Sequence, residues 1–149
     1  MTSVSSQRTE GERAPASILA LMGTARRARS IDDVLAEARR DLDRVTATGL
    51  TAEIEAGALV VDIRPVEQRR RDGELPGAVV IDRNVLEWRL DPTSPHRVPE
   101  ATDHDRRVVI VCNEGYASSL AAAGLRELGL HRATDLDGGF QAWLGAGRV

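Results

Sequence analysis

The stretch VVIVCNEGYASSLAAAGLRELG, Val108 to Gly129, decides the fold. An unbroken apolar run, Arg107 to Val111, ends at Cys112; small and polar residues follow; then Ser118 to Leu128 carries the alanine-rich composition of a helix. A solid apolar run reads as a strand buried on both faces, which is the habit of parallel sheets.

The same alternation recurs on either side. Upstream, Leu59 to Ile63 is a second solid run, Pro65 suits the first turn of a helix through Glu67 to Arg71, and Gly73 ends it. LPGA turns the chain into a strand at Val79 to Ile81, Asn84 to Leu90 reads as a short helix, and DPTSPHRVPEATDHD, with three prolines, reads as a surface loop. Downstream, Ala133 to Leu136 is a last strand and Gly139 to Leu144 a last helix. Before these come a weak strand at Arg44 to Thr46 and a short helix around Thr51 to Ala56. Strands alternating with helices predict an α/β fold, a parallel sheet flanked by helices.

Ahead of that pattern, Ser30 with Asp33 has the spacing of a capped helix start. Ile31, Val34, Leu35, Ala38, Leu42 and Val45 then form an amphipathic stripe that packs on the outside of the domain. The reading divides the chain into a disordered tail at 1–16, a helical extension at 17–43, with a first short turn or helix at Ser17 to Met22, and the α/β domain at 44–149.

Composition narrows the chemistry. The chain has 149 residues, a net charge of −3 with acids and bases interspersed, and a single cysteine. No basic stripe exists for a phosphate backbone, so nucleic acid is not expected as a partner, and no apolar run spans a bilayer. One thiol cannot form an internal disulfide and the first residues carry no apolar leader, which together suggest a cytoplasmic protein. All 20 basic residues are arginine. Without an ε-amine, Schiff-base chemistry, a Walker A loop and a pyridoxal linkage drop out.

In an open parallel sheet reactive groups gather beyond the carboxyl ends of the strands, where Cys112 stands. The arc Asn113, Glu114, Gly115, Tyr116 and Ala117 before Ser118 can curl and turn backbone N–H groups inward, with Gly115 free to take a positive φ. Added to the helix N-terminus, this makes a cradle for a thiolate, the nucleophilic form, or for the anion of a persulfide. A cysteine phosphatase needs an arginine six residues after the sulfur, and that position is Ser118. His96, His104 and His131 show no spacing suited to a protease base or a metal site.

Four segments in order resemble the single-domain rhodaneses. LVVDIRPVEQRRRDGELPGAVVI (Leu59–Ile81) resembles the family's D-x-R, glutamate and G-x-[IL]-P-G-A segment; CNEGYASS resembles its active-site loop; LGL (Leu128–Leu130) and LDGGFQAW (Leu136–Trp143) resemble its helix end and closing motif. The resemblance covers about residues 44 to 149. It implies a five-stranded parallel sheet and a two-step sulfur transfer from a small sulfur-containing anion or persulfide donor to a thiol, cyanide or protein acceptor. Cys112 is then the covalent carrier, and Asn113, Glu114, Gly115, Tyr116, Ala117 and Ser118 hold its anion and the substrate. No metal or organic cofactor is implied.

Two departures bear on substrate. The loop holds Glu114 where many family members carry a cation, and a carboxylate facing the sulfur opposes an anionic donor unless it points to solvent. A cation from another strand end, Arg89 with Trp88 beside it, is the candidate to stand at the rim; otherwise Trp88 fills core and Arg89 is solvated. Asp62 and Arg64 are read as a structural pair, and Arg69, Arg70 and Arg71 as a solvated helix face. The reading from another class is a rhodanese-like binding or regulatory module that relays sulfur between proteins with little thiosulfate turnover.

Overall fold

The computed structural model describes residues 28–147. The expected tail at 1–16 and the turn or helix at Ser17 to Met22 lie outside those residues. From Asp32 onward the described residues form one compact unit, which carries the sheet and every contact described below.

Among the described residues four parallel strands form one sheet: β1 (Leu59–Asp62), β2 (Val79–Val80), β3 (Val108–Val111) and β4 (Ala133–Asp135), in the order β2-β1-β3-β4. Register runs Val61 opposite Val79, Leu59 opposite Val108 and Val108 opposite Ala133. The helices of the described residues are α1 (Ile31–Arg39), α2 (Leu50–Glu55), α3 (Val66–Asp72), α4 (Leu86–Leu90), α5 (Ala117–Glu127) and α6 (Gly139–Gly145), with 3₁₀ turns at Ala47–Gly49 and Arg83–Val85. The α/β reading therefore holds. Among the described residues no helix is long and apolar enough to cross a membrane.

The fifth strand is a correction. Arg44 to Thr46 contributes one bridge, Val45 to Leu136, in place of a strand. Thr46 leaves the ladder at once, because its hydroxyl accepts the Gly49 N–H and caps the following 3₁₀ turn.

Solid apolar strands work because both faces are covered. Along β1 and β3 side chains alternate: Leu59, Val61, Val108 and Ile110 face one cluster with Leu86, Ala121 and Leu125, while Val60, Val109 and Val111 face the other with Leu50, Phe140 and Trp143. Each such buried side chain contributes on the order of 1.5–3 kcal/mol relative to exposure. Alternation places Cys112, next after β3, with the first cluster.

α1 is shorter than its apolar stripe. Leu42 joins the first cluster and Val45 the second, so they lie on opposite faces of the sheet and no single helix could carry both. The chain leaves the helix after Arg39, and Val45 pairs with β4 through Val45 N–H to Asp135 carbonyl and Asp137 N–H to Val45 carbonyl.

Candidate active site

The strand order reverses between β1 and β3: β1 leads outward to β2, and the chain crosses back to place β3 on β1's other side. In open parallel sheets the crevice forms at that reversal. There Ile63, Arg64, Pro65 and Gln68 after β1, Arg83 after β2, and Cys112, Asn113, Glu114, Tyr116 and Ala117 after β3 line a pocket of about 370 Å³.

Cys112 is buried, 8% exposed, and its Sγ accepts two backbone hydrogen bonds, from Gly115 N–H at 3.1 Å and Ser118 N–H at 3.4 Å. The arc curls around the sulfur because its carbonyls are held elsewhere. The Cys112 carbonyl accepts from Phe140 N–H (2.9 Å) and that of Asn113 from Gln141 N–H (3.0 Å), both in the first turn of α6, whose N–H groups lack helical partners. The Gly115 carbonyl accepts from Arg39 Nη2 (2.8 Å) and Arg44 Nη2 (2.9 Å). A planar peptide that turns its C=O outward turns its N–H inward.

Glycine is required at the seam. Gly115 has φ +87°, and a Cβ there would lie 2.7 Å from the Gly138 nitrogen. At Gly139, φ +62°, a Cβ would lie 2.5 Å from the Cys112 carbonyl oxygen. The GG of LDGGFQAW thus lets α6 approach the loop closely enough to grip it.

Behind the arc is a buried polar cluster. Asp135, fully buried at the end of β4, accepts from Ser118 Oγ and Ser119 Oγ, each at 2.7 Å, and from Arg44 Nε (2.9 Å) and Nη2 (3.1 Å). Burial by itself lowers the Arg44 guanidinium, but the hydrogen bonds and charge of Asp135, with Asp137 and the Cys112 sulfur adding, hold it above its ordinary value. Arg39 Nε donates to Ser119 Oγ at 3.0 Å, and its Cζ lies 5.6 Å from the Tyr116 ring centroid.

The remaining expected residues fall as follows. Asn113 Oδ1 accepts from Gln141 Nε2, which fixes that side chain on α6. Glu114 and Ala117 are exposed on the pocket wall, and Tyr116 is 60% exposed at its mouth. Ser118 contributes its N–H to the sulfur, while its hydroxyl turns to Asp135. Arg89 does not line the pocket: its Nη1 donates to the His96 carbonyl at 2.7 Å. Trp88 is 59% exposed and does not fill core. The cation brought to the pocket after β2 is Arg83, paired with Glu87 at 3.0 Å. The 3₁₀ turn begins at Arg83, because Asp82 caps it through the Asn84 N–H, and so Arg83, the third residue past the end of β2, faces the crevice.

Asp62 and Arg64 are a buried pair, both side chains fully covered, with Nη2 to Oδ2 at 2.7 Å. Arg64 also donates to the Gly73 carbonyl and stacks 3.6 Å from the Phe140 ring centroid. This ties β1, α3 and α6 together beneath the pocket. In the arginine run after it, Arg69 pairs with Glu74 and is largely covered, Arg71 pairs with Asp72, and Arg70 is exposed.

Comparison with known proteins agrees with this architecture. The family model of the rhodanese-like domain matches residues 46–146. A thiosulfate sulfurtransferase GlpE of Stutzerimonas stutzeri (strain A1501) is 30% identical over 106 residues, 69% of this chain and 85% of that protein. A protein of the same name from Pseudomonas fluorescens (strain SBW25) is 34% identical over 90 residues, 60% of this chain and 72% of its own length. A solved structure from Rhodopseudomonas palustris CGA009, described as a protein of unknown function and possible tyrosine phosphatase, is 34% identical with a TM-score of 0.72, covering 81% of this chain and 93% of that one.

Proposed function

This chain belongs to the rhodanese-like domain family, and from that premise we propose that it is a sulfurtransferase working through a persulfide on Cys112. The Cys112 thiolate attacks the outer sulfur of a donor such as thiosulfate. The S–S bond of the donor breaks, sulfite leaves with the electron pair, and a persulfide anion remains on Cys112. A nucleophilic acceptor, cyanide or a thiol, then attacks the terminal sulfur, and the Cys112 thiolate departs with the bonding pair. No net redox change and no cofactor enter this sequence.

The observation that carries the reading is the Cys112 sulfur inside an arc of inward N–H groups, two of them already donating to it. Fixed amides favour an anion at that point and cost no reorganisation when charge moves from thiolate to persulfide. Arg83 is the group we assign to the donor's anionic end; it can exchange its exposed pairing with Glu87 for the ligand. Glu114, exposed on the same wall, works against a small dianion and favours a persulfide presented by a thiol or protein.

Phosphatase chemistry fits less well. It needs a guanidinium forking onto phosphate six residues after the sulfur, and Ser118 at that position is committed to Asp135. The test is thiocyanate formation from thiosulfate and cyanide, set beside release of p-nitrophenol from its phosphate ester. The first reaction is expected, with its loss in Cys112→Ser, and none of the second; phosphatase turnover without sulfur transfer would overturn the proposal.

A further inference from the structure

The two guanidiniums on the Gly115 carbonyl come from residues that precede the matched family segment. Arg39 is the last residue of α1, and Arg44 stands just before the Val45 bridge. A carbonyl oxygen has two lone pairs, and here both meet charged donors. Neither arginine lines the pocket, so neither is placed to touch a substrate.

What they hold is the orientation of one peptide. The Gly115–Tyr116 unit is trans, so fixing its oxygen on the guanidiniums turns the Tyr116 N–H to the opposite side, into the arc. Among the described residues that N–H donates to no protein acceptor. Turning that unit over would rotate ψ of Gly115 and φ of Tyr116, and a flipped unit would face an anionic sulfur with a carbonyl. Arg39 grips further than this one atom. The same guanidinium donates to Ser119 Oγ and lies over the Tyr116 ring.

We propose that Arg39 and Arg44 are positioning residues of the sulfur cradle, so that the end of α1 and the segment after it complete the active-site loop from outside by locking the Gly115–Tyr116 peptide with its N–H inward. Arg39 is the better probe, because removing Arg44 strands the buried Asp135 carboxylate. Only the turnover arm of the test rests on the sulfurtransferase reading.

The experiment compares wild type, Arg39→Gln and Arg39→Lys by thermal midpoint, iodoacetamide alkylation rate of Cys112, hydrogen exchange of the Tyr116 amide, and kcat against KM for thiosulfate. Arg39→Gln is expected to keep its fold, lose about tenfold in alkylation rate, as one lost charge-assisted hydrogen bond would give, and exchange Tyr116 faster. Its kcat falls with the alkylation rate at little change in KM, and lysine recovers part of each loss. Wild-type alkylation and exchange in Arg39→Gln overturn the proposal, as do losses that follow the thermal midpoint alone without rescue. Should Arg39→Gln not fold, Arg39→Lys decides: a folded protein with a reduced alkylation rate supports the lock, and a fully wild-type rate overturns it. Absent turnover with the alkylation and exchange effects intact would count against the sulfurtransferase reading and leave the lock standing.

Discussion

At the scale of single residues, two charges on the pocket wall, Arg83 and Glu114, are the groups proposed to set donor preference. Arg83→Ala is expected to raise KM for thiosulfate about two- to fivefold, and Glu114→Gln or Ala117→Arg to lower it by a similar factor, the size of exposed charge interactions. Steady-state kinetics at low ionic strength check this, and unchanged KM in all three would remove both residues from donor binding. Gly139→Ala forces a methyl to within 2.5 Å of the Cys112 carbonyl oxygen at a positive φ, so roughly 1–3 kcal/mol of stability is expected to be lost, read by urea unfolding. The loop itself was legible in the sequence because sulfur, glycine and helix start are contiguous. Arg83 was not, since choosing it over Arg89 depends on where a 3₁₀ turn begins, and the Asp82 cap moves that start one residue ahead of the expected helix. Asp135 and Arg44 are 91 positions apart in the chain, and nothing local pairs them.

At the scale of elements, β1, α3 and α6 are joined by the buried Asp62–Arg64 pair and the Phe140 ring. Removing one partner leaves an uncompensated buried charge, so Arg64→Leu is expected to cost about 3–5 kcal/mol. Denaturant unfolding measures it; a loss below about 1 kcal/mol, the range of an exposed pair, would show that the pair contributes little. Solid apolar runs revealed β1 and β3 because burial on both faces leaves that mark on composition. The end of α1 left none: Leu42 and Val45 keep helical spacing, yet they serve opposite faces of the sheet. The expected fifth strand failed for a related reason, since one bridge pair needs no apolar run.

At the scale of the molecule, the candidate active site and a cluster of ion pairs sit at opposite ends of the sheet. Cys112 lies beyond the carboxyl ends, while at the other end Arg107 meets Asp43 at 3.0 Å and Glu53 at 2.9 Å. Burial tends to raise the Asp43 carboxyl, but hydrogen bonding to Arg107 and its charge hold it below its ordinary 3.8. A folded-state value below the unfolded one contributes stability above the unfolded value and loses it as pH falls through the lowered one. Asp43→Asn is therefore expected to lose less stability than wild type between pH 5 and pH 2, by urea midpoints; parallel acid limbs would contradict this. The most direct trial of the central claim is the intact mass of the protein after exposure to thiosulfate and removal of excess. A gain of one sulfur atom is expected, reversed by cyanide and absent in Cys112→Ser; an unchanged mass with thiosulfate and with a small-molecule persulfide donor alike would rule out a Cys112 persulfide.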